Sequence, residues 1–138
     1  MNETLHPTEL AKLSGVSPDT VRYYERNGLL PLAPRTAAGY RLFPRNALRR
    51  VKIIQHSLSL GFTVKELSAI FRERERGGRP CERVRQLGDE KLAAVEKAIR
   101  DLKAKRVELK RTLLSWDKLL RTKGKNVQAH LLEAFSGE

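Results

Sequence analysis

The sequence is short of sulfur, of aromatic rings and of long apolar runs, and each shortage removes a class of protein. Cys81 is the only cysteine among 138 residues. No intrachain disulfide can form, and a lone thiol fits a reducing cytoplasm. There is no Cys-x-x-Cys, no phosphate loop and no His-Glu-x-x-His, and the histidines His6, His56 and His130 are scattered. The chain therefore reads as no enzyme, with no cofactor and no metal site. No run approaches the roughly 18 apolar residues of a membrane span. The opening MNETLHPTEL lacks the apolar stretch of a secretory leader, so the expectation is a cytoplasmic protein with no membrane partner. Acid is scarce too, with 16 Asp and Glu against 28 Lys and Arg, a net charge of +12. That balance favours polyanions, because clustered cations neutralise phosphates and release counterions; a solvated basic surface is the plain alternative.

What is present divides in two. Residues 1–76 are punctuated by Gly15, Gly28, Pro31, Pro34, Gly39, Pro44 and Gly61, which cut the segment into short elements. Thr8 is a candidate cap for a helix over Glu9–Ser14, and Gly15-Val16-Ser17 makes a tight turn. Ser17 then caps a second helix, with Pro18 at its first position, Asp19 complementing its dipole and Gly28 ending it. Arg35–Arg41 reads as two short strands around a glycine turn. A third helix, Arg45–Leu60, carries Leu48, Val51, Ile54 and Leu58 at helical spacing. Thr63 to Glu66 is a capping box opening a fourth, with Phe62 and Leu67 as a hydrophobic staple. The order is that of a helix-turn-helix with a hairpin wing.

On the second helix Asp19, Arg22, Tyr23 and Arg26 share one face, while Val21 points to the core. Arginine can grip phosphate or the guanine edge, and tyrosine can reach a phosphate. Arg35, Tyr40 and Arg41 give the wing a basic surface suited to the DNA backbone or minor groove. The candidate DNA-binding set is Ser17, Asp19, Thr20, Arg22, Tyr23, Arg26, Arg35, Tyr40 and Arg41. Arg49, Arg50 and Lys52 on the third helix are secondary candidates. For Arg41 an ion pair at the rim is the competing role.

The string Gly15-Val16-Ser17-Pro18-Asp19-Thr20-Val21-Arg22-Tyr23-Tyr24-Glu25-Arg26, followed by Gly28-Leu29-Leu30, resembles the recognition helix of the MerR family of transcriptional regulators. Arg35-Thr36, Gly39-Tyr40-Arg41 and Leu60-Gly61-Phe62 match the family's wing and later helices. The similarity runs over roughly residues 5–120. It implies a mainly helical fold with a small β-hairpin: a winged helix-turn-helix domain followed by a long coiled-coil dimerisation helix. It also implies a homodimer on a palindromic promoter operator, bending and untwisting an overlong spacer so that RNA polymerase engages both elements. A different class stays open: an architectural or recombination-accessory DNA-binding protein without effector control.

The Gly77–Pro80 break is a linker, and residues 81–121 read as one long helix. Leu92, Ile99, Arg106, Leu113 and Leu120 occupy one heptad position; Val95, Leu102, Leu109 and Trp116 occupy the other. That seam calls for a partner helix; the alternative, a hairpin onto the tail Val127–Phe135, is too short to cover it, so the expectation is a homodimer. Its dimerisation residues are Leu92, Val95, Ile99, Leu102, Leu109, Leu113 and Trp116; the resemblance implies antiparallel pairing. Residues 122–138 form a tail for an effector. Cys81, in the first turn of the long helix, is a structural residue, a thiol-reactive or redox group, or one half of a metal site with His130 across the dimer. Lys118, Arg121, Lys123 and Lys125 would repel a cation there. Trp116 packs in the seam or, with Leu119, Leu120, Leu131, Leu132 and Phe135, lines an apolar pocket for an organic effector.

Overall fold

The structure, a computed structural model, describes residues 4–31, 33–123 and 131–137. Its elements are β1 (Thr4–Leu5), α1 (Pro7–Ser14), α2 (Pro18–Arg26), β2 (Phe43–Pro44), α3 (Ala47–Ser59), α4 (Val64–Glu75) and α5 (Cys81–Lys123), then a short 3-10 helix, Leu132–Ser136. Two compact units form, Met1–Lys91 and Leu92–Glu138. Among the described residues no helix is long and apolar enough to cross a membrane.

Local chemistry sets most boundaries. Proline suits a first helical position, where its missing N–H costs nothing. So α1 starts at Pro7 rather than Glu9, and its cap is His6 rather than the expected Thr8; the His6 N–H donates to Glu9 Oε1 at 3.3 Å. The recognition helix α2 begins as expected, with the Thr20 N–H donating to Ser17 Oγ at 3.1 Å. It ends in a paired turn: the Gly28 N–H donates to Glu25 carbonyl at 3.1 Å and the Leu29 N–H to Tyr24 carbonyl at 2.9 Å. That turn needs a left-handed residue, and Gly28 supplies it with φ +73°. Thr63 and Glu66 form the reciprocal capping box at the start of α4, at 2.8 and 3.1 Å. The third helix is shorter than its apolar spacing suggested, because Arg45 and Asn46 form the turn before it and Leu60 caps it.

One core closes the first unit. Leu5, Leu10, Val21, Leu29, Phe43, Val51, Ile54, Leu67 and Phe71 are buried in it, and Val84 and Leu87 from the start of α5 pack on its edge. A two-stranded antiparallel sheet pins Leu5 opposite Phe43 and Thr4 opposite Pro44. The sequence gives no sign of this pairing, since two residues are too short to show alternation. The wing departs from the two strands expected. Arg35 and Arg41 form a single antiparallel bridge, closed by the Thr36 N–H to the Tyr40 carbonyl at 2.7 Å. Pro34 has no N–H to lengthen the ladder, and Gly39 turns it at φ +87°.

In the second unit, the apolar stripe of α5 lies open. Leu92, Leu102 and Leu109 are 57%, 64% and 59% exposed. The 43 residues of α5 span about 65 Å at about 1.5 Å per residue.

Candidate nucleic-acid interface

The amphipathic character of α2 comes from its sequence order. Val21, Tyr24 and Glu25 face inward, while Asp19, Arg22, Tyr23 and Arg26 face solvent. Desolvation by that burial holds the Tyr24 hydroxyl above its usual range. On the outer face Arg22 Nη2 pairs with Asp19 Oδ1 at 2.5 Å. Both side chains are exposed, so the pair is weak and a phosphate can replace the carboxylate. Ser17 and Thr20 are joined hydroxyl to hydroxyl at 2.8 Å, which commits them to the cap at the helix entrance.

Between α2 and the wing lies a groove of about 1140 Å³, lined among others by Arg22, Arg26, Arg35, Tyr40 and Arg41. It gathers six of the nine residues that the sequence nominated, Asp19 among them. Tyr23 stands outside it, 44% exposed. In the wing, Arg35 Nη1 donates to the Gly39 carbonyl at 3.1 Å and Thr36 Oγ1 accepts the Tyr40 N–H at 3.1 Å. The Tyr40 ring meets the His6 ring edge-on, centroids 5.9 Å apart. Arg41 pairs with the buried carboxylate of Glu25, the ion-pair role that competed with DNA contact. Glu25 was missed by reading α2 for its outer face alone. The signal was there: it shares the spacing of Val21 and Tyr24, and a carboxylate on a buried face requires a cation.

On α3, Arg50 turns inward. Its Nη1 donates to the Leu29 carbonyl at 3.2 Å and its guanidinium stacks 4.0 Å from the Phe71 ring centroid. Burial, then Arg74 nearby, lowers its pKa. Its expected DNA-facing role therefore gives way to packing, because the long stem reaches the apolar gap between α3 and α4. Arg49 and Lys52 are exposed.

Farther along the chain, the seam residues Val95, Ile99 and Leu113 are exposed like their neighbours, at 46–53%. Trp116 donates from Nε1 to the Leu131 carbonyl at 3.0 Å and meets Phe135 at 5.6 Å between centroids, so its ring serves the tail. Leu132 and Phe135 remain exposed. Cys81 is a free, exposed thiol beside a mainly apolar groove of about 640 Å³ that includes Ile53, Phe62, Phe71 and Val84. Lys125 and His130 lie outside the described residues, as does much of the tail.

Residues 6–74 match the family model described as "MerR HTH family regulatory protein", and residues 48–112 match "MerR, DNA binding". The chain is 36% identical over 106 residues to the HTH-type transcriptional regulator ZntR of Escherichia coli strain K12, covering 75% of this chain and 74% of ZntR. The crystal structure of PbrR691 from Ralstonia metallidurans CH34 in complex with lead(II) superposes with a TM-score of 0.73 at 25% identity, covering 95% of this chain and 98% of that one. HiNmlR, a MerR family regulator lacking the sensor domain and solved bound to promoter DNA, gives a TM-score of 0.57 at 26% identity, over 84% and 92% of the two chains.

Proposed function

The chain belongs to the MerR family of helix-turn-helix regulators, and from that premise we propose that it grips a palindromic promoter operator as a homodimer and controls transcription by deforming the spacer. It is a DNA-binding transcriptional regulator, and its family is one of regulators rather than enzymes. The observation that carries the reading is the groove between α2 and the wing, where four guanidinium groups and the Tyr40 phenol converge. The outer face of α2 enters the major groove while Arg35, Tyr40 and Arg41 follow the backbone beside it. The open seam of α5 supplies the two-fold. The resemblance implies that the two copies pair antiparallel, each stripe closing the other. Energy spent on the spacer depends on how readily its sequence bends. A cytoplasmic location is consistent with a regulator that acts on promoter DNA. Selection of duplexes from a randomised library tests the reading. The expected product is an inverted repeat with half-sites about one helical turn apart, or a multiple of that spacing; recovery of unrelated sequences rejects it.

PbrR691 holds lead(II), but this chain carries one thiol per protomer. Soft ions want two or more thiolates, and closed zinc sites usually want about four ligands. The effector of this protein is accordingly an organic or redox signal rather than a soft metal ion. Titration with zinc, cadmium, mercury and copper(I), with wild type and Cys81→Ser, decides it. Nanomolar binding at one ion per site that also alters operator twist would overturn this assignment; mercury capture by the thiol alone would not.

A further inference from the structure

Among the described residues Glu25 is the one charged residue that is buried: its side chain is 4% exposed, on the inner face of the last turn of α2. Oε1 pairs with Arg41 Nη1. Oε2 is buried with no hydrogen-bond partner. A half-satisfied buried carboxylate is a poor source of stability, and removing Arg41 would strip it of that cation. Such a pair is retained in some proteins for the geometry it enforces.

The geometry at stake here is that of the wing. Among the described residues the core includes Leu30 and Phe43, and Ala33 packs on its edge, but nothing between residues 34 and 42 takes part. Apolar packing therefore does not hold the wing against α2. What holds it is polar: Arg41 on Glu25, with the edge contact of Tyr40 on His6 beside it. The side chain of Arg41 is 34% exposed and lines the groove. A guanidinium has five N–H donors in a rigid fork, so one arm on Glu25 leaves others for a phosphate or a base edge.

We propose that Glu25 is a positioning residue for DNA recognition: it clamps Arg41, fixes the wing against the recognition helix, and aims the rest of the Arg41 fork at the duplex. The inference rests on the DNA-binding reading above. It separates two quantities that a simple basic patch would change together. Glu25 neutralises Arg41 locally, so it weakens non-specific attraction while sharpening fit to the correct duplex.

The test uses full-length wild type, Glu25→Gln, Arg41→Gln and the double variant. Each is titrated by fluorescence anisotropy against a duplex selected by the wild type and a scrambled duplex of equal length, over a range of salt. Glu25→Gln is expected to weaken the selected duplex about tenfold, the size of one lost specific contact. Binding to the scrambled duplex should hold or tighten, with a salt slope steeper by up to about 1. The double variant should bind the selected duplex no worse than Arg41→Gln alone. A wild-type ratio of selected to scrambled affinity in Glu25→Gln overturns the proposal. So does an equal loss on both duplexes in step with a lowered melting temperature, the mark of a purely structural pair. Should Glu25→Gln not fold, Glu25→Asp keeps the charge but shortens the clamp by one methylene, and the same two outcomes apply. A wild type that selects no sequence at all removes the underlying reading as well.

Discussion

Leu10, Val21, Leu29, Val51 and Ile54 are closed from solvent inside the first unit, whereas Leu92, Leu102 and Leu109 on the second are more than half exposed. The residue types are the same. What differs is whether their own chain offers a facing surface. In the first unit short helices and tight turns bring several apolar stripes together, so burial is completed within one chain. On α5 the stripe repeats every 3–4 residues along one helix and, among the described residues, stays open, so burial waits for a second copy. The first unit is thus a fold, and the second is half of one.

The most disruptive way to break that contrast is Leu102→Asp. A charge buried without a partner in the seam should cost several kcal/mol and convert the dimer to monomer in equilibrium sedimentation at micromolar concentration. Its counterpart is Ile54→Ala, expected to cost about 2–5 kcal/mol. The two should differ in kind: melting of the Leu102→Asp protein should lose its dependence on protein concentration, and that of Ile54→Ala should keep it. A Leu102→Asp protein that sediments as a full dimer refutes the seam.

Arg22→Ala sharpens the contrast from the DNA side. If Arg22 reads a base, its loss costs about 1–3 kcal/mol and relaxes specificity at one position; a phosphate contact weakens all sequences alike. Stability and dimerisation should be untouched, since its ion pair to Asp19 is exposed. Unchanged anisotropy titrations at matched salt would remove Arg22 from the interface.

The smallest effect concerns the point where α5 leaves the first unit. Lys91 pairs with Glu66 at 2.8 Å. That ammonium, then the Thr63 N–H, holds the Glu66 carboxyl below its usual range. A carboxylate depressed in the folded state adds stability above its unfolded value of about 4.3, and that stability is lost as pH falls through the lower folded value. Glu66→Gln should flatten the acid limb of the stability profile and cost on the order of 1 kcal/mol at neutral pH. An unchanged acid limb in urea melts would show that the pair contributes nothing.

The start and end of α2, the capping box at Thr63, the long helix and its open seam were all legible in the residues, because each depends on neighbours within a turn or two. Ser17 caps, Pro18 starts and Gly28 stops by local backbone chemistry, and a heptad needs only its own spacing. The outward faces of Arg22 and Arg26 followed from the same periodicity. What the tertiary structure alone decided are contacts between segments far apart in the chain. Thr4–Leu5 pairs with Phe43–Pro44 although neither stretch is long enough to announce a strand. Arg50 reads as a surface cation until α4 brings Phe71 to it. Trp116 belongs by spacing to the seam, yet Leu131 and Phe135 take its ring. Glu25 and Arg41 are each ordinary charges in sequence and become a buried pair only when the wing folds back on α2. Local rules fix where a side chain points along its own helix; which atom it finds there depends on loop closures that no short window of residues contains.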